Sequence, residues 1–428
     1  MRSDQSLKAK EDNMTSTRTA ALRGLLLLTL LIVALSLRAQ QTFTTISGIV
    51  KDQTTGKALP YVNVTVPSEH VSTVTNADGG FMLKTMERPA SVILTHVGYR
   101  TRRYLLGDKL ENLEIKMQSS TVVLSEILVT SGDPRQILKA AVAKIPHNYS
   151  SQPELFRGFY RETTQRGHRY IYVAEAAVDL YKSAYSKPVN YDRVRIDKAR
   201  RLISTRQTDT LGAKVQGGPT LPVFVDVVKN LEYIFEEAEM EHYDYRMESP
   251  TAIDDRQQVV ISMRPRHILP YPLYFGRIYI DQATLAFTRV ELELDMTDRE
   301  KATRTMLVSK PMGVRFRPRE LTIMIDYVLD DSISRIHYVR STSRFNCDWK
   351  RKLFSSSYRV SAEMVVTDRY PEACRINGRS SFDAHSSLYD KVELFEDPGF
   401  WGKDNIIEPT ESLESAIEKL RKKIARDQ

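Results

Sequence analysis

Cysteine is nearly absent: there are two in 428 residues, too few for a disulfide scaffold. Tryptophan also occurs only twice. The spacings that hold a catalytic zinc are missing. None of the eight histidines opens a His-x-x-Glu or His-Glu-x-x-His pattern, so no pair of zinc ligands is set at the separation such sites use. There is no Gly-x-Ser-x-Gly elbow, no phosphate-binding Gly-Lys loop and no dinucleotide fingerprint. These absences argue against a metallopeptidase, an α/β-hydrolase, a nucleotide hydrolase and a dehydrogenase. The expectation is a protein that is not an enzyme and that uses no cofactor or metal. No run beyond residue 39 is apolar enough to span a bilayer. Internal repeats and low-complexity tracts are also lacking.

Hydrophobic residues make up 41% of the chain, enough for large cores, and the length predicts two or three domains. Arg18 and Arg23 precede the apolar run Leu25–Leu35, which Ser36-Leu37-Arg38-Ala39 closes. A basic region, a short apolar core and a small residue form a secretory signal peptide over residues 1–39. Met14 is an alternative start. The mature chain is then expected to be periplasmic or outer-membrane associated, and export disfavours nucleic acid as a partner. The formal charge is +8, of which residues 1–39 carry +3, leaving about +5. That surplus permits acidic partners without demanding them. In an oxidising compartment Cys347 and Cys374 are expected to form a disulfide worth about 3 kcal/mol. The alternative is two buried thiols.

Between residues 131 and 150 a linker helix is predicted. Asp133 caps it, Pro134 suits its first turn, Leu138, Ala141, Val142 and Ile145 form its apolar stripe, and Pro146 stops it. Long strands follow in a β-rich region over 151–405. Tyr170, Tyr172, Ala174, Ala176, Val178 and Leu180 alternate, as do Val290–Met296 and Leu321–Tyr327. Such alternation predicts an antiparallel sheet with one face buried and one wet. A helix is expected around Asp226–Asn230. A second closes the chain over 406–428, with its amphipathic part at Glu411–Arg426, acidic residues leading and basic ones trailing.

Residues 42–130 read as short strands between turns. Val62, Val64 and Val66 share one face; Asp52–Gly56 and Asn76–Gly80 are turn clusters. The segments Ile46–Asp52, Leu59–Val64, Asn76-Ala77-Asp78-Gly79-Gly80-Phe81 and His96-Val97-Gly98-Tyr99 resemble the carboxypeptidase-regulatory-like domain. That resemblance implies a prealbumin-like, seven-stranded β-sandwich and a place in the cell envelope. The segment Val122–Thr130 looks like the one that follows this domain in TonB-dependent receptors, but the chain is too short for their barrel. Where the family carries a Gly-Thr turn, this chain has Ser68-Glu69-His70-Val71. A calcium loop at Asp78-Gly79 would need more oxygen ligands than the loop offers, so a plain hairpin turn is expected.

The later region is similar to uncharacterised exported proteins of the Bacteroidota. Phe159-Tyr160-Arg161-Glu162, Tyr181-Lys182-Ser183, Gly276–Asp281 and Phe400-Trp401 with Ile406–Pro409 carry that likeness. The fold class is therefore mainly β: a sandwich, then a large antiparallel sheet or half-barrel with a few helices.

Candidate binding residues are Arg315, Arg317 and Arg319, which alternate along one strand face, and the aromatics Tyr271, Tyr274 and Phe275. Arginine forks suit anionic groups and aromatic rings stack on sugars. Against this stand a solvated sheet face and a core edge beside Pro270 and Pro272. A second basic cluster comprises Arg193, Arg195, Lys198, Arg200 and Arg201. The paired carboxylates Asp254-Asp255 and Asp330-Asp331 sit at turns, where adjacent residues point apart. The expected function is an envelope binding or scaffold protein near nutrient-uptake machinery, with a protein, glycan or lipid partner. The rivals are a lipid or lipoprotein carrier and a hydrolase of envelope polymers.

Overall fold

The computed structural model describes residues 43–120, 132–205, 213–330, 332–350, 355–383, 388 and 400–427. The expected signal peptide, the joint at Val122–Thr130, Asp331 and His385 lie outside the described residues.

Seven strands build the first unit: β1 (Thr44–Asp52), β2 (Asn63–Val66), β3 (Val71–Val74), β4 (Gly80–Thr85), β5 (Ser91–Thr95), β6 (Arg102–Leu105) and β7 (Leu113–Met117). They form a three-stranded sheet, β4-β1-β7, and a four-stranded sheet, β3-β2-β5-β6. Between them lie Ile46, Val50, Val64, Phe81, Leu83 and Leu94. The alternation along each strand sends these side chains inward. β1 and β7 run parallel, and Gly48 lies so close to Leu113 that a Cβ would come within 2.4 Å of its carbonyl oxygen. The Asn76 turn is not the expected hairpin, since it carries the chain from β3 in one sheet to β4 in the other: Asn76 Oδ1 accepts from the backbone N–H of Asp78 and Gly80, and Gly79 takes φ +79°. Where the family's Gly-Thr turn is lacking, a single 3₁₀ turn at Pro67–Glu69 ends in a left-handed His70.

Two helices follow, α1 (Pro134–Ala143) and α2 (Ile145–Asn148). The Asp133 carboxylate accepts from the Arg135 N–H, the cap the sequence predicts. The rest is dominated by one sheet. Its strands are β8 (Glu154–Arg166), β9 (Arg169–Lys182) and β10 (Arg193–Ile203), then β12 (Tyr243–Met247), β13 (Thr251–Ile253), β14 (Arg256–Pro265), β15 (Tyr274–Asp281) and β16 (Phe287–Leu294), and finally β18 (Val314–Asp330), β19 (Ile333–Trp349) and β20 (Ser356–Arg369). The small pair β11 (Lys214–Val215) and β17 (Leu307–Ser309) stands apart. The order is β10-β9-β8-β20-β19-β18-β16-β15-β14-β12, with β13 also on β14, and the sheet stays open rather than closing into a barrel. Short helices α3 (Leu221–Phe224), α4 (Glu237–Met240) and α5 (Arg299–Met306) precede the terminal α6 (Glu411–Asp427). Among the described residues no helix is long and apolar enough to cross a membrane.

One face of the sheet carries the main core. Tyr160, Ala174, Ala176, Val178, Ile278 and Val290 pack against Leu138 and Ile145 of α1 and α2 and against Val223, Val227 and Phe235. The other face is not uniformly wet. β9 is buried almost throughout because the sandwich and the C-terminal segment cover this end of the second face. Val74 of β3 and Trp401 and Ile407 of that segment pack with Phe159, Ala177, Tyr338 and Val365. Leu413, Ile417 and Leu420 of α6 cover Val173 and Leu202.

Two expectations need correction. Asp226–Asn230 is not helical: α3 ends at Phe224 and successive turns follow. Asp226 reaches into the core to Lys182 and Tyr327, and the chain wraps around it. The expected disulfide is also absent, both cysteines being free thiols. Cys347 sits in β19 with its side chain in the main core, while Cys374 is exposed beyond β20. Burial pushes the Cys347 thiol up to about 12.

Candidate functional site

The second face of the sheet holds a ladder of side chains across ten strands, polar at every rung but one. Register places Arg246, Ser262, Arg277, Glu291, Met324, Arg340, Glu363, Arg161, Glu175 and Arg200 side by side, one per strand from β12 to β10. Facing residues on neighbouring strands lie about 5 Å apart, close enough for opposite charges to pair. At the β10 end they do. Arg161 binds Glu175 at 2.8 Å and Arg200 binds the same carboxylate at 2.7 Å. Burial works against the charge on Glu175, yet Arg161 and Arg200 hold its pKa below the usual carboxylate range.

Arg340, at the centre, is treated differently. On one side it faces Met324, which has no charge. On the other it faces Glu363, which is occupied by the Tyr338 hydroxyl at 3.0 Å and by Arg161 at 3.6 Å. Arg340 is half-buried and makes no ion pair among the described residues. Burial presses its pKa down and the nearby charge of Arg359 adds to this, while Glu363 opposes both. Arg359, on the next strand, is exposed. Its lateral neighbours are Arg344, already bound to Glu320 at 3.3 Å, and Gln165. It too has no ion pair among the described residues.

Between these two arginines a row of hydroxyls crosses four strands: Thr322, Thr342, Ser361 and Thr163. None of the four has a protein hydrogen-bond partner among the described residues. Tyr61 of the sandwich roofs the row. Its ring lies 4.4 Å from the Arg340 guanidinium and stacks on Tyr338 with centroids 5.9 Å apart. Tyr61 takes φ +60°, an uncommon backbone state for a bulky residue that the surroundings must enforce. The result is a trough with two arms, of about 650 and 260 Å³, which share Tyr61, Arg340 and Arg359. Glu291 and Glu293 line the wide arm, and Glu408, whose pKa burial raises, lines the narrow one.

All but one of the anticipated residues fall elsewhere. Arg315 and Arg317 lie on the same face of β18 as the trough but beyond Glu320, and Arg317 is bound by Asp348 at 2.5 Å. Arg319 sits at a bulge in the strand. Tyr271 is exposed, its hydroxyl donating to Glu239. Tyr274 is a core-edge residue, buried with its hydroxyl against that of Tyr233. Phe275, one position on, is the aromatic that lines the trough. The β10 cluster is absorbed internally: Arg195 binds Asp179, Lys198 binds Asp404 and Arg200 binds Glu175. Asp254 and Asp255 hold Thr101 of the sandwich by its hydroxyl and its backbone N–H.

A second cavity of about 260 Å³ lies between the sandwich and the far ends of β18 and β19. Several of its charges are paired, with Arg335 on Glu154 at 2.8 Å, Arg256 on Asp281 at 2.6 Å and His70 3.6 Å from Asp330. Deep in the core, Lys182 binds Asp226 at 2.6 Å and Lys229 binds Asp192 at 2.5 Å, their side chains at most 3% exposed. Among the described residues no group of three or more His, Cys, Asp or Glu could hold a metal.

Residues 46–129, about a fifth of the chain, match the CarboxypepD_reg-like domain family. No curated protein matches the sequence. Among solved structures the chain is similar to a DUF1329 family protein from Desulfovibrio piger, at 11% identity over 55% of this chain and 94% of that one, with a TM-score of 0.22. A LolA superfamily protein from Nitrosomonas europaea matches at 12% identity over 56% and 98%, with a TM-score of 0.18. The MucA/MucB complex of Pseudomonas aeruginosa matches at 14% identity over 56% and 100%, with a TM-score of 0.17.

Proposed function

We propose that the protein is an exported, non-enzymatic binding protein of the cell envelope, with the trough as its ligand site. One observation carries this reading: the half-buried Arg340 and the exposed Arg359 line one trough with no ion pair among the described residues, while Arg161, Arg277 and Arg344 near them are matched to carboxylates. A half-buried charge without a counter-ion is costly, and a ligand that supplies the opposite charge recovers that cost. The signal-peptide pattern of residues 1–39 supports export. The first domain's likeness to the one that opens TonB-dependent receptors supports a place near the outer membrane. The carrier reading is weaker, because the apolar face that would cradle an acyl chain is filled by α1, α2 and residues 221–240.

The test is native mass spectrometry of the protein purified from its own envelope, for the wild type and for the Arg340→Gln, Arg359→Gln double variant. A mass retained by the wild type and lost from the variant is expected. A bare wild-type chain, under conditions that preserve weak complexes, would sink the proposal. A lipid mass retained equally by both would restore the carrier.

A further inference from the structure

We infer that the trough takes an acidic oligosaccharide, with one sugar carboxylate between Arg340 and Arg359 and sugar hydroxyls along Thr322, Thr342, Ser361 and Thr163. The inference rests on the trough being the ligand site.

The geometry follows from register. Thr342 and Ser361 face each other, and the strands are antiparallel. Arg340 precedes Thr342 by two residues on β19, and Arg359 precedes Ser361 by two on β20. The arginines therefore stand at opposite corners of the Thr342–Ser361 pair, with Cα atoms about 14 Å apart. Both side chains are long enough to reach inward to a group lying over that pair. Tyr61 holds the guanidinium of Arg340 by its face and leaves its N–H edge free. A planar carboxylate accepts from such an edge in a fork.

The floor argues for sugar over the other anions. Four hydroxyls on adjacent strands span about 14 Å, roughly three hexose units. Each can donate to or accept from a sugar hydroxyl. A peptide would need a free strand edge, and β18, β19, β20 and β8 are all paired on both sides. A phosphate would favour converging backbone N–H groups, which the face of a sheet does not present. A lipid chain would find mostly charged and hydroxyl side chains here. The acidic walls shape the choice further. Glu291, Glu293 and Glu408 repel a ligand charged at every sugar but accept hydrogen bonds from neutral ones. The fitting ligand alternates acidic and neutral units.

Isothermal titration calorimetry of the full chain tests this with four probes: a hyaluronan tetrasaccharide, neutral chitotetraose, tetragalacturonate and inorganic phosphate. The hyaluronan fragment is expected to bind at least ten-fold tighter than each of the others. Arg340→Gln and Arg359→Gln should each weaken it at least ten-fold, and Arg315→Gln should leave it unchanged. Thr342→Ala with Ser361→Ala should weaken the neutral and acidic sugars alike. Equal affinity for chitotetraose, tighter binding of phosphate, or indifference to both arginine variants overturns the inference. If hyaluronan fails while an envelope ligand is still lost from the double arginine variant, the sugar assignment falls and the binding reading stands. If neither probe nor envelope ligand binds, both fall.

Discussion

Asp226 ties together groups that would otherwise be unsatisfied in the core. Its carboxylate accepts from Lys182 at 2.6 Å, from the Tyr327 hydroxyl at 2.7 Å and from the Tyr185 hydroxyl at 3.1 Å. Asp226→Ala should therefore leave a buried lysine uncompensated and cost about 3–5 kcal/mol in urea unfolding. A loss below 1 kcal/mol would mean that Asp192 alone carries Lys182. His337 makes a different prediction. Burial holds its imidazole down to about 4, below the unfolded value of about 6.5. Between those values the unfolded chain binds the extra proton, so stability falls as the pH drops from about 6.5 towards 4, by ~3 kcal/mol from this group. Glu162 and Asp368, both raised by burial, favour the folded state as the pH falls and blunt the slope. Urea titrations at pH 7, 5.5 and 4.5 should show a flatter dependence in His337→Asn than in the wild type. Identical slopes would assign the effect to other groups.

Trp401 is the anchor of the C-terminal segment. It meets Phe159 edge-on at 5.2 Å, and the Arg200 guanidinium lies 4.9 Å from its ring. Around it Asn405 pairs with the backbone N–H and C=O of Lys84, and Thr73 donates to the Ile406 carbonyl. Trp401→Ala should cost about 3–5 kcal/mol and increase hydrogen exchange in β3 and β8 together. Unchanged exchange in β3 would show that the sandwich docks without the segment. Much of this element plan was legible in the sequence. Alternation located β9, β16 and β18, and capping chemistry located α1, because those signals are local. The second covering over β9 was not legible, since it depends on β3, about a hundred residues before it, and on a segment more than two hundred residues after it. The Asp226 turns were missed because the apolar residues around them read as a helix face. The trough was missed for a similar reason. Arg340-x-Thr342 and Arg359-x-Ser361 look like ordinary solvated strands until register sets them opposite each other. Arg315, Arg317 and Arg319 formed the more obvious run.

Sandwich, sheet and C-terminal segment share one apolar cluster, in which Val74, Phe159, Tyr338, Val365, Trp401 and Ile407 meet. Ser72 also donates to the Val366 carbonyl across that boundary. Scanning calorimetry should therefore give a single unfolding transition for the mature chain. Two resolved transitions would show that the sandwich melts on its own. The ten-strand ladder has a consequence for assembly. A strand that slips by one residue turns all its side chains over, and hydrophobicity rejects it. A slip by two keeps apolar groups inside and would pass that test. Along β8 and β9 such a slip sets Arg161 against Val173 or Ala177 in place of Glu175, stranding a guanidinium and a carboxylate under cover. The charges thus act as a parity check on a long and repetitive pairing, and the even-numbered errors that patterning tolerates are the ones they catch.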